Sequence, residues 1–153
     1  MADFSARPAE PMNSLSTARS SRARILAAIT FHLDPSRLRF LAEVLRSLSE
    51  FPVAAMEVIV LTNVVGEAEL APLHRLAAEM LPGKTFSVRH SGDLAHPHHL
   101  AWCHKEIIAG QFVSENTSRR YSHFIYLEDD MRMSFANFSY FVEFREILRD
   151  VGM

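Results

Sequence analysis

The chain of 153 residues has a single cysteine, Cys103, and only five glycines. One cysteine excludes an intrachain disulfide and the thiolate zinc sites that need several cysteines. The few, scattered glycines form neither the phosphate loop nor the dinucleotide-binding pattern. No apolar run reaches the roughly 18 residues that a membrane-spanning helix needs. The chain therefore lacks the sequence features of disulfide-rich proteins, of P-loop and dinucleotide enzymes, and of helical membrane proteins.

An excess of charge of one sign is also missing. Sixteen Lys and Arg residues stand against 18 Asp and Glu residues, which gives a formal net charge of -2. Without a basic excess, we expect neither nucleic acid nor an anionic membrane surface as a partner. What the chain does have, 48% hydrophobic and 22% charged residues, is typical of a globular domain.

The N-terminal residues 1–23 differ in composition from the rest of the chain. They are rich in Ala, Ser, Arg and Pro and contain no hydrophobic signal core, which favours a disordered leader before a domain over residues 24–153. The excess of Arg over acidic residues leaves a mitochondrial-type presequence as an alternative. Because no secretory signal is visible, we expect a cytoplasmic protein.

Strand-like and helix-like segments alternate from residue 24 onwards. Apolar runs and period-two patterns predict four strands, and apolar residues at helical spacing predict a helix after each of them. This alternation predicts an α/β fold with an open, mainly parallel sheet and helices on both faces. The predicted strands are Arg24–Phe31, Glu57–Thr62, Thr85–Arg89 and His123–Leu127, and the predicted helices begin at Pro35, span Leu70–Leu81 and Leu100–Ala109, and follow Ser134.

The last predicted helix is rich in aromatic residues. Phe138, Phe141, Val142 and Leu148 recur there at helical spacing. This spacing favours a stripe that faces the core rather than a surface that binds a partner.

Three adjacent carboxylates, Glu128, Asp129 and Asp130, follow the last predicted strand. In open α/β sheets, ligands bind beyond the carboxyl ends of the strands. Adjacent carboxylates repel one another unless a cation or hydroxyl donors compensate them, and Mg²⁺ or Mn²⁺ commonly bind through one or two carboxylates plus substrate phosphates. The triplet therefore indicates a metal–diphosphate site. The alternative is a solvated acidic turn before a helix N-terminus, where negative charge is also favoured.

The segment Phe124–Met131, FIYLEDDM, followed by Phe138–Phe141, FSYF, resembles the metal-binding region of GT-A glycosyltransferases of the N-acetylglucosaminyltransferase I type. The resemblance extends over about residues 24–150, and residues 98–141 carry its specific part. It implies a Rossmann-like GT-A fold and metal-dependent transfer of a glycosyl group. The implied donor is a nucleoside-diphosphate sugar, the cofactor is Mn²⁺ or Mg²⁺, and the acceptor is unknown.

The resemblance also implies roles for individual residues. Asp130 would ligate the metal, while Asp129 and Glu128 would face ribose and sugar hydroxyls. His99, three residues before Trp102, would lie near the nucleotide. These roles transfer by position along the motif.

At two places the chain departs from the family pattern. Where the family has an arginine near the phosphates, this chain has Pro35, and Arg37 and Arg39 are the candidates to replace it. Where the family has an acidic residue that reads the base after the second strand, this chain has Asn63. His32, which follows the first strand, joins Asn63 as a candidate nucleotide-binding residue.

Five histidines lie between residues 90 and 104. Zinc bound by two of them with Cys103 is one interpretation, since imidazole is a common zinc ligand. The spacing matches no established zinc motif, which favours a solvated turn instead. We expect Trp102 to pack against the sheet and His104 and Lys105 to face solvent. The five histidines are His90, His96, His98, His99 and His104.

Only 23 residues follow Asp130, enough for one helix but not for an acceptor site or a catalytic base. We therefore expect the nucleotide-binding half of a GT-A-like domain, an incomplete sheet with an exposed edge, and no identifiable catalytic residue. The alternative is a non-catalytic α/β interaction module or a degenerate transferase. The missing arginine and the missing base-reading acid favour that alternative.

Overall fold

The computed structural model describes residues 20–92, 94, 96–113 and 120–152. Only residues 20–23 of the predicted leader are among them, and residues 1–19 lie outside the described part. Ser20 and Ala23 are buried, and the N–H of Ala23 donates to the carbonyl oxygen of Ser20 at 3.1 Å. These residues pack at the start of the first strand.

Four parallel strands form one sheet, which confirms the predicted α/β fold. The chain winds outwards from β1 to β2 to β3 and then returns to place β4 on the other side of β1. Such a reversal of winding opens a crevice at the carboxyl ends of the strands. In spatial order the strands are β3 (Thr85–His90), β2 (Ala55–Thr62), β1 (Arg24–Thr30) and β4 (His123–Glu128).

Helices connect the strands, and none of the described ones is long and apolar enough to cross a membrane. The predicted helix over Leu100–Ala109 is divided in the structure. His96 caps a 3-10 helix there, because its Nδ1 accepts the N–H of His98 at 3.3 Å, and Pro97 occupies the first helical position. The α-helices are α1 (Leu38–Ser49), α2 (Glu67–Met80), α3 (His104–Val113) and α4 (Phe135–Asp150), and the 3-10 helices are Pro35–Arg37 and Pro97–Trp102.

Residues of β1 alternate between two hydrophobic clusters, one on each face of the sheet. Ile25 and Ile29 pack with buried residues of α1, α2 and α4. Leu26 packs on the opposite face with Leu100 of the second 3-10 helix and Ile107 of α3. Burying each of these side chains contributes about 1.5–3 kcal/mol. Helices thus cover both faces, as predicted, and β4 lies at one edge.

Ser134 caps the N-terminus of α4, as the sequence predicts. The Ser134 hydroxyl accepts the N–H of Asn137 at 3.2 Å, and the Asn137 side chain accepts the N–H of Ser134 at 3.0 Å. Phe138 is buried, but Phe141 is exposed, so its predicted place in the core is wrong. The reason is geometric. One step along an α-helix rotates the side chain by about 100°, which turns Phe141 away from the side on which Val142 contacts the core.

Candidate functional site

A cavity of about 420 Å³ opens where the winding of the sheet reverses, between the carboxyl ends of β1 and β4. Thr30 and Glu128, the last residues of these two strands, are partners in the sheet register. The second 3-10 helix forms another part of the wall. The residues lining this switch-point cavity are Thr30, His32, Arg37, His98, Leu100, Ala101, Glu128 and Asp129.

Arg37 and Asp129 form a bidentate ion pair at this cavity. Nε and Nη2 of Arg37 each donate to one carboxylate oxygen of Asp129, both at 2.7 Å. Nη2 also donates to Oδ2 of Asp130 at 3.2 Å. Only 8% of the Asp129 side chain is exposed, against 38% for Arg37. The cation that the acidic triplet requires is therefore supplied, in part, by the chain itself.

The local sequence explains how Arg37 reaches the end of β4. The Asp34 carboxylate accepts the N–H of Ser36 at 2.8 Å and begins the 3-10 helix, with Pro35 at its first position. The bonds to Ser36 lower the pKa of Asp34, which keeps this cap charged. The short helix ends at Arg37, where the bonds to Asp129 raise the pKa of the guanidinium and favour its charged form.

Arg39, the other candidate arginine, lies apart from the acidic triplet. Its guanidinium carbon is 4.6 Å from the ring centroid of Phe40. Arg39 lines neither the switch-point cavity nor the second cavity described below. The structure therefore brings Arg37, and not Arg39, to the predicted site.

The other two carboxylates of the triplet face solvent. Glu128 is exposed at the end of β4, and 51% of the Asp130 side chain is exposed. Within the described residues, no group of three or more His, Cys, Asp and Glu side chains could hold a metal ion. One exposed carboxylate still suits a divalent cation that takes its other ligands from diphosphate oxygens and water. Most ligands of such a cation would therefore have to come from outside the chain.

The histidine-rich turn places a different histidine at the cavity from the one expected. His98 and His99 are both exposed, but only His98 lines the switch-point cavity. The rings of His96 and His98 stack with their centroids 4.7 Å apart. A 3-10 helix has three residues per turn, so it rotates its side chains differently from the expected α-helix. The His96–Pro97 pair, a helix-start signal, could have indicated this.

Two expectations for the end of this turn are wrong. Trp102 is exposed and has Lys105 Nζ 4.0 Å from its ring centroid, so it does not pack on the sheet. His104 is half-buried and stacks on Tyr126 with centroids 4.0 Å apart. Lys105 is exposed, as expected. Because histidine is polar, the sequence gave no indication that His104 would contact β4.

Tyr126 and His104 connect the second 3-10 helix to the sheet beside the cavity. The Thr30 hydroxyl donates to the Tyr126 oxygen at 3.3 Å, and burial raises the pKa of Tyr126. His104 Nδ1 lies 2.5 Å from the carbonyl oxygen of Ala101, which also lines the cavity. The sequence analysis missed this connection. A signal was present, because Tyr126 and Glu128 are two residues apart in a strand and so lie on the same face of β4.

A second cavity, of about 440 Å³, lies beyond the carboxyl ends of β2 and β3. Asn63 and His32 both line it, and His32 also lines the switch-point cavity. Oδ1 of Asn63 accepts the N–H of Leu33 at 3.1 Å, which fixes the orientation of the Asn63 amide. The remaining lining residues are Val65, His90, Ser91, Gly92 and Leu94.

No family model, curated protein or solved structure matches this chain. The function is therefore inferred from the geometry and chemistry of the site.

Proposed function

We propose that the switch-point cavity binds a nucleoside-diphosphate sugar together with Mn²⁺ or Mg²⁺. In this proposal the chain is the donor-binding part of a GT-A-like glycosyltransferase. The observation that carries the proposal is the Arg37–Asp129 ion pair beside the exposed carboxylate of Asp130, at the carboxyl end of parallel strands. The guanidinium of Arg37 is a cation that can bind phosphate oxygens, and the carboxylate of Asp130 beside it is a ligand that can bind a metal ion. The resemblance of the segment FIYLEDDM supports the same assignment.

Arg37 can bind a diphosphate without leaving Asp129. A guanidinium has five N–H groups, and the two nitrogens that bind the carboxylates account for three of them. Nη1 carries two more N–H groups, whose fork geometry suits phosphate oxygens. Because Arg37 lines the cavity and is partly exposed, these groups are accessible to a ligand.

Asp130 is the residue proposed to hold the divalent cation. When bound, the cation would neutralise the negative charge that develops on the departing nucleoside diphosphate. The carboxylate of Asp130 would hold the cation on the side of the site where Arg37 lies, so both positive charges would be available to the phosphate oxygens. Glu128, exposed at the end of β4, is the candidate acceptor for sugar hydroxyl groups.

The second cavity is proposed to take the nucleoside. His32 lines both cavities, so a ligand can extend from one to the other past this residue. The amide nitrogen of Asn63 would donate to a carbonyl group of the base. A carboxylate at this position could only accept hydrogen bonds, whereas the Asn63 amide nitrogen donates them. We therefore expect a preference for bases that present a hydrogen-bond acceptor to Asn63.

Thermal unfolding in the presence of ligands tests this proposal. We expect millimolar UDP, GDP or CDP with Mn²⁺ to raise the Tm of the chain, because a ligand that binds only the folded state stabilises it. Asp130→Asn should abolish the part of the shift that depends on Mn²⁺. Asp150→Asn, which removes an exposed carboxylate at the end of α4, is the matched control and should keep the full shift. The absence of a shift with all three nucleotides contradicts the proposal.

A non-catalytic interaction module is the second candidate. The observation that favours it is the exposed aromatic side of α4, where Tyr140, Phe141 and Phe144 all face solvent. If the chain binds a partner through this helix and no nucleotide shifts its Tm, the interaction module is favoured over the transferase.

A further inference from the structure

A third cavity, of about 490 Å³, lies between β4 and α4. We call it the edge cavity, since β4 is an edge strand of the sheet. It runs along the strand, because the consecutive residues 123–127 all line it, over a length of roughly 13 Å. Its volume is in the range of about 300–1,000 Å³ that is typical of small-molecule sites. It shares no lining residue with either cavity of the proposed nucleotide site.

Most of the wall of the edge cavity is apolar. Phe138, Phe141 and Val142 of α4 contribute to it, together with Met131 and Met133 from the connection between β4 and α4. Phe141 and Met131 are 62% and 50% exposed, respectively. Exposed apolar side chains around a concave surface are typical of ligand-binding grooves, and methionine adapts to ligands of different shape. This wall therefore suits the apolar body of a ligand.

One cationic side chain in the wall has no counter-ion. Arg145 of α4 lines the edge cavity and makes no hydrogen bond or ion pair with any residue that the structure describes. Glu146 lines the cavity as well, but its carboxylate is paired with the guanidinium of Arg149. The negative charge of Glu146 is thus compensated, whereas the positive charge of Arg145 is available to a ligand.

His123, the first residue of β4, lies on the same side of the cavity as Arg145. Burial, with a smaller contribution from the positive charge of Arg145, lowers the pKa of the His123 imidazole. Its Nδ1 is 2.9 Å from the hydroxyl oxygen of Ser122, and its ring meets that of Phe138 edge-on, with the centroids 5.2 Å apart. His123 is therefore neutral near pH 7, so Arg145 is the group that would bind an anion.

The single uncompensated charge restricts the class of ligand. A carboxylate matches the fork of N–H groups that a guanidinium presents. A phosphate monoester carries about 1.5–2 negative charges near pH 7, and Glu146 in the wall would repel the second charge. A ligand without charge would leave Arg145 without a partner. The edge cavity therefore favours an elongated apolar molecule with one carboxylate at its end.

We propose that the edge cavity binds a straight-chain monocarboxylate of medium length, such as decanoate. The carboxylate binds the guanidinium of Arg145 on the side of the cavity where β4 begins. The alkyl chain lies along β4 and contacts Phe138, Phe141 and Met131. This site is independent of the proposed nucleotide site, so Asp130→Asn should leave the affinity for decanoate unchanged.

Isothermal titration calorimetry of the full chain tests the class of ligand. We expect one decanoate to bind per chain, and decanol to bind at least tenfold more weakly because it lacks the charge. Octanoate should also bind about tenfold more weakly, because two fewer methylene groups are buried. Decyltrimethylammonium should not bind. A chain that takes up no decanoate at millimolar concentration, or that binds decanol equally well, overturns the proposal.

Variants at the two ends of the ligand test its placement. Arg145→Gln, at an exposed position, should raise the Kd of decanoate about tenfold or more and leave that of decanol unchanged. Arg75→Gln is the matched control, because it removes the same charge from an exposed position on α2 outside the cavity. Phe141→Ser should weaken both ligands about threefold or more, whereas Phe40→Ser on α1 should weaken neither. Equal effects in a variant and its control contradict the placement.

NMR signals of the histidine rings locate the ligand independently. The His123 signals, assigned with His123→Gln, should shift when decanoate is added, because a carboxylate on Arg145 lies near the imidazole. The signals of His32, which lines both cavities of the nucleotide site, should not shift. A shift of His32 without one of His123 would place decanoate elsewhere and overturn the proposal. Self-association of the chain through β4 that excludes decanoate would overturn it as well.

Discussion

Among single side chains, Asp129 has the environment that matters most for the site. It is nearly buried, its carboxylate binds Arg37 through both oxygens, and its N–H donates to the carbonyl oxygen of Thr30 at 3.1 Å. A buried carboxylate that loses its partner is costly, because water cannot replace the missing hydrogen bonds. Arg37 thus has a role in the fold as well as the role proposed for it in binding.

Arg37→Met should lower the Tm by roughly 3–8 °C, because it leaves Asp129 without its cation. Arg39→Met removes the same charge from the neighbouring turn but breaks no contact with Asp129, so its Tm should change by less than about 1 °C. Calorimetry of the two variants without ligand makes the comparison. Equal losses in both variants would show that the Arg37–Asp129 pair does not stabilise the chain.

The helices and strands follow the local sequence closely, with instructive exceptions. The strands agree with prediction to within one or two residues, because buried apolar runs and period-two patterns depend on nearby residues only. The 3-10 helix Pro97–Trp102 and the exposure of Phe141 were not predicted. Both depend on small rotations about a helix axis, which spacing alone does not determine. The Ser134 cap was predicted, because the capping signal lies within one turn of sequence.

Ser134→Ala should destabilise the chain by about 0.5–2 kcal/mol, because the N–H of Asn137 loses its partner at the start of α4. Ser134→Asp keeps a side-chain acceptor there and should retain most of the stability. Urea denaturation of both variants measures the difference. A loss in Ser134→Asp as large as that in Ser134→Ala would indicate that the cap is not the cause.

In the whole molecule, the candidate site depends on contacts between distant parts of the chain. Glu128, Asp129 and Asp130 were recognisable from sequence because they follow an apolar strand. The pairing of Arg37 with Asp129 was not, because 92 residues separate them and only the position of β4 beside β1 brings them together. The place of His98 at the cavity likewise depends on how the second 3-10 helix rests on the sheet.

The stability of the whole chain should depend on pH through His123. Burial, with a smaller contribution from Arg145, lowers the pKa of this histidine. The unfolded chain therefore binds a proton more readily below about pH 6.5, and the folded state loses stability as the pH falls from 7 to 5. His123→Gln should flatten this dependence of Tm, whereas His99→Gln, at an exposed position, should leave it unchanged. Identical slopes in both variants would contradict this assignment.

The position of β4 has a further consequence for how the chain folds. β1, β2 and β3 are consecutive in sequence, so each can pair with its predecessor through a short connection. β4 pairs with β1 across nearly 100 residues, for example Ile25 with His123. Closing such a long loop costs more entropy, and non-local pairings form slowly. We therefore expect β4, and with it the junction of Arg37 and Asp129, to be among the last parts to assemble on the growing or refolding chain.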